Sequence, residues 1–341
     1  MSDDSTRKLL ATRRTMLLTT ALAAGTAATA QSQTLPSESS AMTARVNGGT
    51  VGVISGGVDG TYIRIAADLV SVLDDGDRLR ILPVIGKGSV QNLIDIVFLR
   101  GIDLGIVQSD ALAFVLAENV LPGAERTINY LAKLYDEEVH ILARKEISTV
   151  ADLAGKPVNV DVRGSGTAMT AKLIFDMLRI PINPQYDNQD SALQRLGNGE
   201  LAAMVFVTGK PARLFANIAS DSGLHFLALP TAKSLIETYL PAQLDHGAYP
   251  ALIPENGPVQ TVAVGALMAV FSWPPGTERR AKVDRFAVAL SAKLSELQQP
   301  PHHPKWREVN LGARAPGWTR YDVGMQVAAP GAPRARRHVG L

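Results

Sequence analysis

The chain has 341 residues, a length that holds one large domain or two of about 150 residues each. Hydrophobic residues make up 46% and charged residues 19%, a globular composition. The 34 Lys and Arg against 32 Asp and Glu give no basic excess of the kind nucleic-acid binding requires. Cysteine is absent, which excludes disulfides, thiolate metal sites, Cys nucleophiles and a lipid-modified N-terminal Cys; the six His form neither HExxH nor an i, i+4 pair, so no metal site and no cofactor are expected.

Residues 1–30 read as a signal peptide. Arg7, Lys8, Arg13 and Arg14 precede a weakly apolar stretch over 16–27, and Ala28-Thr29-Ala30 supplies a small-x-small cleavage pattern. The run Thr12-Arg13-Arg14-Thr15-Met16-Leu17-Leu18 resembles a twin-arginine signal; the other reading is an ordinary secretory signal that contains two arginines. The apolar stretch falls short of the ~20 residues of a membrane span, so a periplasmic product is expected. Removing the four basic and two acidic residues of this segment leaves a mature chain near neutrality. Ser, Thr, Gln and Pro over 31–45 suggest a flexible leader, and Arg334, Arg336 and Arg337 mark a flexible basic tail over 331–341.

Between these ends, strands and helices alternate. Short β-rich runs at 51–54, 80–85 and 102–107 are each followed by a Gly/Ser turn and a helical pattern. Tyr62, Ile65, Ala66, Leu69 and Leu73 follow the first, and Val90, Leu93, Ile94 and Val97 the second. The rhythm is that of a parallel sheet covered by helices. It resumes at 158–162, with a helix carrying Met169, Leu173 and Met177, and at 201–207. Two longer apolar stretches, 128–143 (interrupted by Asp136-Glu137-Glu138) and 261–273, are where the chain is expected to cross between two α/β lobes. Val283, Phe286, Leu290, Leu294 and Leu297 then mark a helix that should pack on the first lobe.

Chemistry concentrates at three junctions of strand, Gly/Ser/Thr turn and helix start: Ser55-Gly56-Gly57-Val58-Asp59-Gly60-Thr61-Tyr62, Gly86-Lys87-Gly88-Ser89-Val90-Gln91-Asn92 and Arg163-Gly164-Ser165-Gly166-Thr167. Glycine lets backbone approach a ligand, and the unpaired N–H groups of a helix start favour a negative group. Any one junction is common helix capping in an α/β protein. Three together point to an anion-binding cleft. GxxxxGK[ST], GxGxxG after a strand and GxSxG are all missing, which argues against a nucleotide site or a serine hydrolase elbow.

The ordered set of Gly60-Thr61-Tyr62, Gly88-Ser89-Val90-Gln91-Asn92, Gly105-Ile106-Val107-Gln108-Ser109-Asp110, Leu134-Tyr135, Glu138-Val139-His140, Asp152-Leu153-Ala154-Gly155-Lys156, Gly164-Ser165-Gly166-Thr167, Gly209-Lys210-Pro211, Tyr249-Pro250 and Thr261-Val262-Ala263-Val264 resembles the TAXI family. These are the solute receptors of tripartite ATP-independent periplasmic (TRAP) transporters. The resemblance runs from about residue 50 to 275. It implies a type II periplasmic-binding-protein fold: two α/β lobes, here 46–136 with 274–330 and 137–273, joined by a hinge of crossing strands. It further implies a monomeric receptor, not an enzyme, that takes a small carboxylate such as glutamate or 2-oxoglutarate, or a dicarboxylate, and closes around it. Its partners would be the solute and the TRAP membrane permease subunits.

Carried onto this sequence, Gly60, Thr61 and Tyr62 would line the cleft, with the Tyr62 ring stacking on the solute and its hydroxyl bonding it. Ser89 would cap one carboxylate. Gln108, Ser109 and Asp110 lie at a strand end, where open α/β sheets bind ligands; Asp110 would receive an ammonium group or cap a helix. Ser165, Gly166 and Thr167 would hold a carboxylate from the second lobe, and Phe206 and Thr208 would close the far wall. Lys87 stands where many family members have a small residue, Arg163 where a small residue or Pro is common, and Lys210 interrupts the familiar Gly-x-Pro. Either Lys87 and Arg163 select a di- or tricarboxylate or they are solvated rim side chains. The stretch with Trp306 and Trp318 reads as an extension wrapping a lobe. Two other readings remain beside transport: a ligand sensor reporting to a membrane kinase, and an enzyme on the same fold, for which His140 would be the catalytic base although its place in a strand near the crossing suits a structural residue.

Overall fold

The computed structural model describes residues 37–323. The expected signal peptide and the basic tail over 331–341 lie outside them. The described chain starts with helix α1 (Ser37–Gly49), so the latter part of the stretch expected to be a flexible leader is an exposed helix. Its Ala and Ser content tolerates helix, and no β-branched run opposes it.

Strands and helices then alternate: β1 (Thr50–Ile54), α2 (Thr61–Leu73), β2 (Arg80–Val84), α3 (Ser89–Phe98), β3 (Leu104–Gln108), α4 (Ala111–Ala117), α5 (Ala124–Thr127) and β4 (Ile128–Arg144). The middle of the chain adds β5 (Pro157–Asn159), α6 (Gly166–Leu178), β6 (Asn183–Gln185), α7 (Gln189–Gly197), β7 (Ala203–Thr208), β8 (Leu224–Phe226), α8 (Lys233–Ile236) and β9 (Leu240–Leu244). Strand β10 (Val259–Phe271) and helix α9 (Glu278–Leu297) complete it. The sheet order is β2-β1-β3-β10-β4-β7-β5-β6, with β8 beside β4 and β9 beside β10.

Pairing is parallel at the two ends of this order, β2-β1-β3 and β7-β5-β6, and antiparallel through its middle. The two middle strands divide their length between the ends. Residues 266–270 of β10 pair with β3, whereas residues 259–263 pair with β9; in β4, residues 138–143 pair with β7. Register shifts between Gly265 and Leu267 and between Met268 and Ala269 mark the crossing, since an extra residue increases local twist. Two α/β halves joined by two crossing strands constitute the type II periplasmic-binding fold.

Each half has helices on both faces of its sheet and its own core. In α2 the apolar residues at 3–4 spacing, with Ile65, Ala66 and Leu69 wholly buried, turn one stripe to the sheet, and Val283, Phe286 and Leu290 of α9 pack on them. Burial of a side chain the size of Phe286 contributes roughly 1.5–3 kcal/mol. Helix α3 buries Val90, Leu93 and Ile96; Ile94 and Val97, which the spacing places on the same stripe, are only half-buried. The segment after α9 wraps the first half. Trp306 is fully buried and its Nε1 donates to Asp68 Oδ2 at 2.8 Å, while Trp318 Nε1 donates to the Ser109 carbonyl at 2.8 Å. Beside it Lys305 forms an ion pair with Glu138 of β4 at 2.8 Å, both side chains nearly inaccessible. No helix among the described residues is long and apolar enough to cross a membrane.

Candidate functional site

Parallel strands deliver their C-terminal ends, and the helices that follow, to one edge of each half. Four helix starts therefore meet between the halves: α2, α3, α6 and α7. They surround a cleft of about 390 Å³. The two first-half helices are preceded by Gly60 and Gly88, neither of which has a side chain to cap the first turn. Their first N–H groups therefore need acceptors from elsewhere. Gly88 has φ 115, a conformation that side-chain-bearing residues rarely adopt. The second-half helices are capped by their own side chains: Ser165 Oγ accepts from the Ala168 N–H at 3.0 Å, and Asn188 Oδ1 from the Ser191 N–H at 2.9 Å.

The halves touch across the cleft. Thr61 Oγ1 and Thr208 Oγ1 are 3.1 Å apart, and the Gln91 N–H donates to the Gly164 carbonyl at 3.0 Å. A Cβ placed on Gly166 would lie 2.1 Å from Gln108 Oε1 and 2.6 Å from Ser89 Oγ. A side chain there would have to push Gln108 and Ser89 aside while the halves are together.

Of the sequence-predicted residues, Gly60, Thr61, Tyr62, Lys87, Ser89, Gln108, Ser165, Gly166, Thr167, Phe206 and Thr208 line this cleft. Several polar tips already have partners. Tyr62 is buried and its hydroxyl donates to Glu137 Oε2 at 2.7 Å. Ser89 Oγ accepts the Gln108 N–H at 2.9 Å, and Thr167 Oγ1 accepts the Val207 N–H at 3.1 Å. These side chains brace the walls, and the groups left to meet a solute include backbone donors and the exposed Lys87 ammonium.

Ser109, Asp110 and Arg163 do not line the cleft. Ser109 follows the end of β3, and its backbone is held by Gly265 and Trp318. Asp110 precedes α4 without making a cap bond; its Oδ2 instead accepts from Thr170 Oγ1 and Tyr239 OH of the other half, each at 3.0 Å. Burial pushes its carboxyl up to about 6, the two hydroxyl donors opposing. The Arg163 guanidinium points away and stacks 3.7 Å above the Tyr186 ring, a favourable cation–π position. Lys210 is tied to Asp245 Oδ2 at 2.9 Å.

Sequence reasoning missed the acidic residues. Asp59, Glu137, Asp161 and Asp190 all line the cleft, with Gln189 beside them. Glu137 sits on the floor, 2% exposed. Burial raises its carboxyl to about 8; the Tyr62 hydrogen bond opposes this, and the neighbouring Glu138 adds to it. Asp161 has φ 71, a backbone state that Asp tolerates better than most residues. Asp59 stood within a junction already singled out, but no pattern marks which side of the turn its carboxylate takes. His140 is fully buried away from the cleft. Tyr249 OH, which accepts the Ala212 N–H, donates to His140 Nε2 at 2.6 Å, so the ring proton is on Nδ1, facing the Glu138 carbonyl at 2.9 Å. Burial lowers its pKa to about 4, and it serves as a neutral structural group. Among the described residues no group of three or more His, Asp or Glu is placed to hold a metal ion.

A family profile described as the NMT1-like family matches residues 53–272. Among solved structures, the chain is similar to the alkanesulfonate-binding protein SsuA from Xanthomonas axonopodis pv. citri. That likeness has 17% identity, covers 76% of this chain and 85% of that one, and has a TM-score of 0.41. The periplasmic VFT2 domain of BvgS from Bordetella pertussis gives 13% identity, 74% and 90% coverage and a TM-score of 0.41. An ancestral arginine-binding protein bound to arginine gives 16% identity, 76% and 97% coverage and a TM-score of 0.44.

Proposed function

The chain belongs to the NMT1-like family, and we propose that within it this protein is an extracytoplasmic solute receptor. It captures a small carboxylate between its halves and delivers it to the membrane permease of a TRAP transporter. The observation that carries this reading is the meeting of the side-chain-free starts of α2 and α3 at the cleft. Backbone N–H groups and helix dipoles aimed at one point favour an anion without any catalytic group. Lys87, exposed on the cleft wall, adds a cation for the carboxylate. The ordered TAXI-type motifs around Thr61, Ser89 and Gly166 support the transporter assignment and an exported, monomeric receptor.

In this reading the lobes 46–136 with 274–330 and 137–273 swing about β4 and β10. The contacts Thr61–Thr208 and Gln91–Gly164 form on closure. A solute bound to both halves supplies the differential affinity that closure needs.

The test is a thermal-shift screen of the mature protein against mono-, di- and tricarboxylates and amino acids. A ligand at 100 times its Kd adds about 2.7 kcal/mol. A rise with one class and no turnover over hours supports the receptor. Turnover of the ligand would transfer the site to an enzyme, and no shift with any carboxylate would reject the solute class.

A further inference from the structure

Strand β4 carries two acids side by side at the hinge, and only one of them is satisfied. Glu138 Oε1 pairs with the Lys305 ammonium at 2.8 Å, and its Oε2 accepts the Lys210 N–H at 2.9 Å. Glu137 is as deeply buried, 2% exposed, yet forms no ion pair among the described residues; the Lys305 ammonium is taken by Glu138 and Glu308. Glu137 Oε2 accepts from the Tyr62 hydroxyl at 2.7 Å, and no group among the described residues bonds Oε1. Holding Tyr62 needs one oxygen. Because Glu137 lines the cleft, the second is left for whatever fills it.

Contacts fix where that oxygen lies. Tyr62 is the second residue of α2, and its hydroxyl also faces Ser89, the first residue of α3. Ser89 Oγ in turn lies against Gly166, the first residue of α6. Oε1 shares its carbon with Oε2, so it sits beside these helix starts. The groups facing Glu137 are Glu138 and Tyr135 of its own strand, Tyr62 of α2, Asp110 beyond β3 and Lys305 of the wrapping segment, while Lys87, Asp59, Asp161 and Asp190 line the same cleft. Burial holds the Glu137 carboxyl up at about 8; Glu138 and Asp110 add to this, and Tyr62 and Lys305 oppose it. A solute carboxylate brought up to it favours the neutral acid further.

We infer that Glu137 is a specificity-determining residue that enters binding as the neutral acid, donating its proton from Oε1 to a carboxylate oxygen of the solute at the starts of α2 and α3. The inference rests on the carboxylate-receptor reading and adds to it a protonation state. An acid–carboxylate hydrogen bond is charge-assisted and strong. An ionised Glu137 would instead repel the solute. Where the free protein has lost this proton, it must take one up from solvent to bind. A dicarboxylate is therefore held more tightly at pH 7 than at pH 9, although its own charge is the same at both.

Titration calorimetry of the mature protein with glutarate and 2-oxoglutarate, from pH 7 to 9.5, tests this; both probes stay doubly ionised throughout. Wild-type affinity should hold level to about pH 8 and then fall about tenfold per pH unit. At pH 9 binding should take up about one proton, read from the dependence of the heat on buffer ionisation enthalpy. Glu137→Gln has an N–H donor that cannot ionise, so its affinity should stay level to pH 9.5 with no proton taken up. Glu137→Met, which has no donor, should bind at least about tenfold more weakly than Glu137→Gln at pH 7, with thermal unfolding checking that both fold. A level wild-type profile, no proton uptake at pH 9, or the same fall in Glu137→Gln overturns the inference and leaves the receptor standing. Binding of neither probe at pH 7 by the folded wild type overturns the carboxylate reading, and the inference with it.

Discussion

The two walls of the cleft are built on opposite principles. The first-half wall uses helix starts behind Gly60 and Gly88 and presents main chain beside the side chains of Asp59 and Lys87. The second-half wall caps its helices with Ser165 and Asn188 and presents Asp161, Gln189 and Asp190. A main-chain wall has fixed polarity and offers N–H donors whatever the side chains are. A side-chain wall can be retuned by single substitutions. General anion affinity should therefore follow the first-half main chain, and specificity the side chains, most of which lie on the second half.

The largest effect should come from the contact that ties the walls to their common hinge. Lys305 is buried against Glu138 of β4, and removing one member of a buried pair costs about 3–5 kcal/mol. Lys305→Met should lower urea-unfolding stability by that order, and the double change with Glu138→Leu should recover most of it. No loss in the single variant would show that the hinge strand does not depend on the wrapping segment.

Next comes the contact surface between the walls. Gly166→Ala places a Cβ against Gln108 and Ser89. Overpacking of about 1–3 kcal/mol should then weaken solute binding about 10- to 100-fold while leaving each half folded. Gly57→Ala, on the first-half wall with nothing within 4 Å of its Cβ, should bind as wild type. Equal behaviour of the two variants would mean that closure is not needed for binding.

The floor gives a pH signature. The Glu137 carboxyl stands at about 8 when folded against an ordinary 4.5, so between those values the folded chain keeps a proton that the unfolded chain has lost. Stability must fall as pH rises through this window. The groups around it are Tyr62, Glu138, Asp110 and the Lys305 ammonium. His140 and His303, both lowered to about 4 from 6.5, change in the opposite sense but only below 6.5. Urea unfolding at pH 6.5 and 8.5 should therefore show wild type losing stability and Glu137→Gln losing less. Identical slopes would mean that Glu137 is ionised throughout.

The smallest effect should be at the caps. Ser165→Ala removes the acceptor of the Ala168 N–H and should cost about 1 kcal/mol in stability. The first-half caps have no such side chain to lose.

Much of the architecture was legible from residue spacing. The runs at 128–143 and 261–273 are β4 and β10, and Val283, Phe286 and Leu290 do pack α9 on the first half. Glycine turns identified three of the four helix starts, because glycine's conformational freedom is a local property. The fourth, at Asn188-Gln189-Asp190, carries no glycine. The run Asp136-Glu137-Glu138 looked like an interruption of a strand, yet Glu137 lies on the cleft floor and Glu138 is locked to Lys305, 167 positions away. Side-chain direction along β4 depends on the register shifts at Gly265 and Met268 of its partner strand, which no local pattern encodes.

The sequence by itself determined the absence of thiol chemistry, which is composition alone, and the alternation of elements and the places where the chain turns tightly, which depend on neighbours within a few residues. Tertiary structure alone decided the sign of the charge in the cleft. Asp59, Asp161 and Asp190 lie apart along the chain, and Asp59 shares a cleft with the other two only where the halves come together, whereas Arg163, inside the most suggestive motif, turns out onto Tyr186. Electrostatics sums over distance in space, and that distance is fixed by packing rather than by sequence separation.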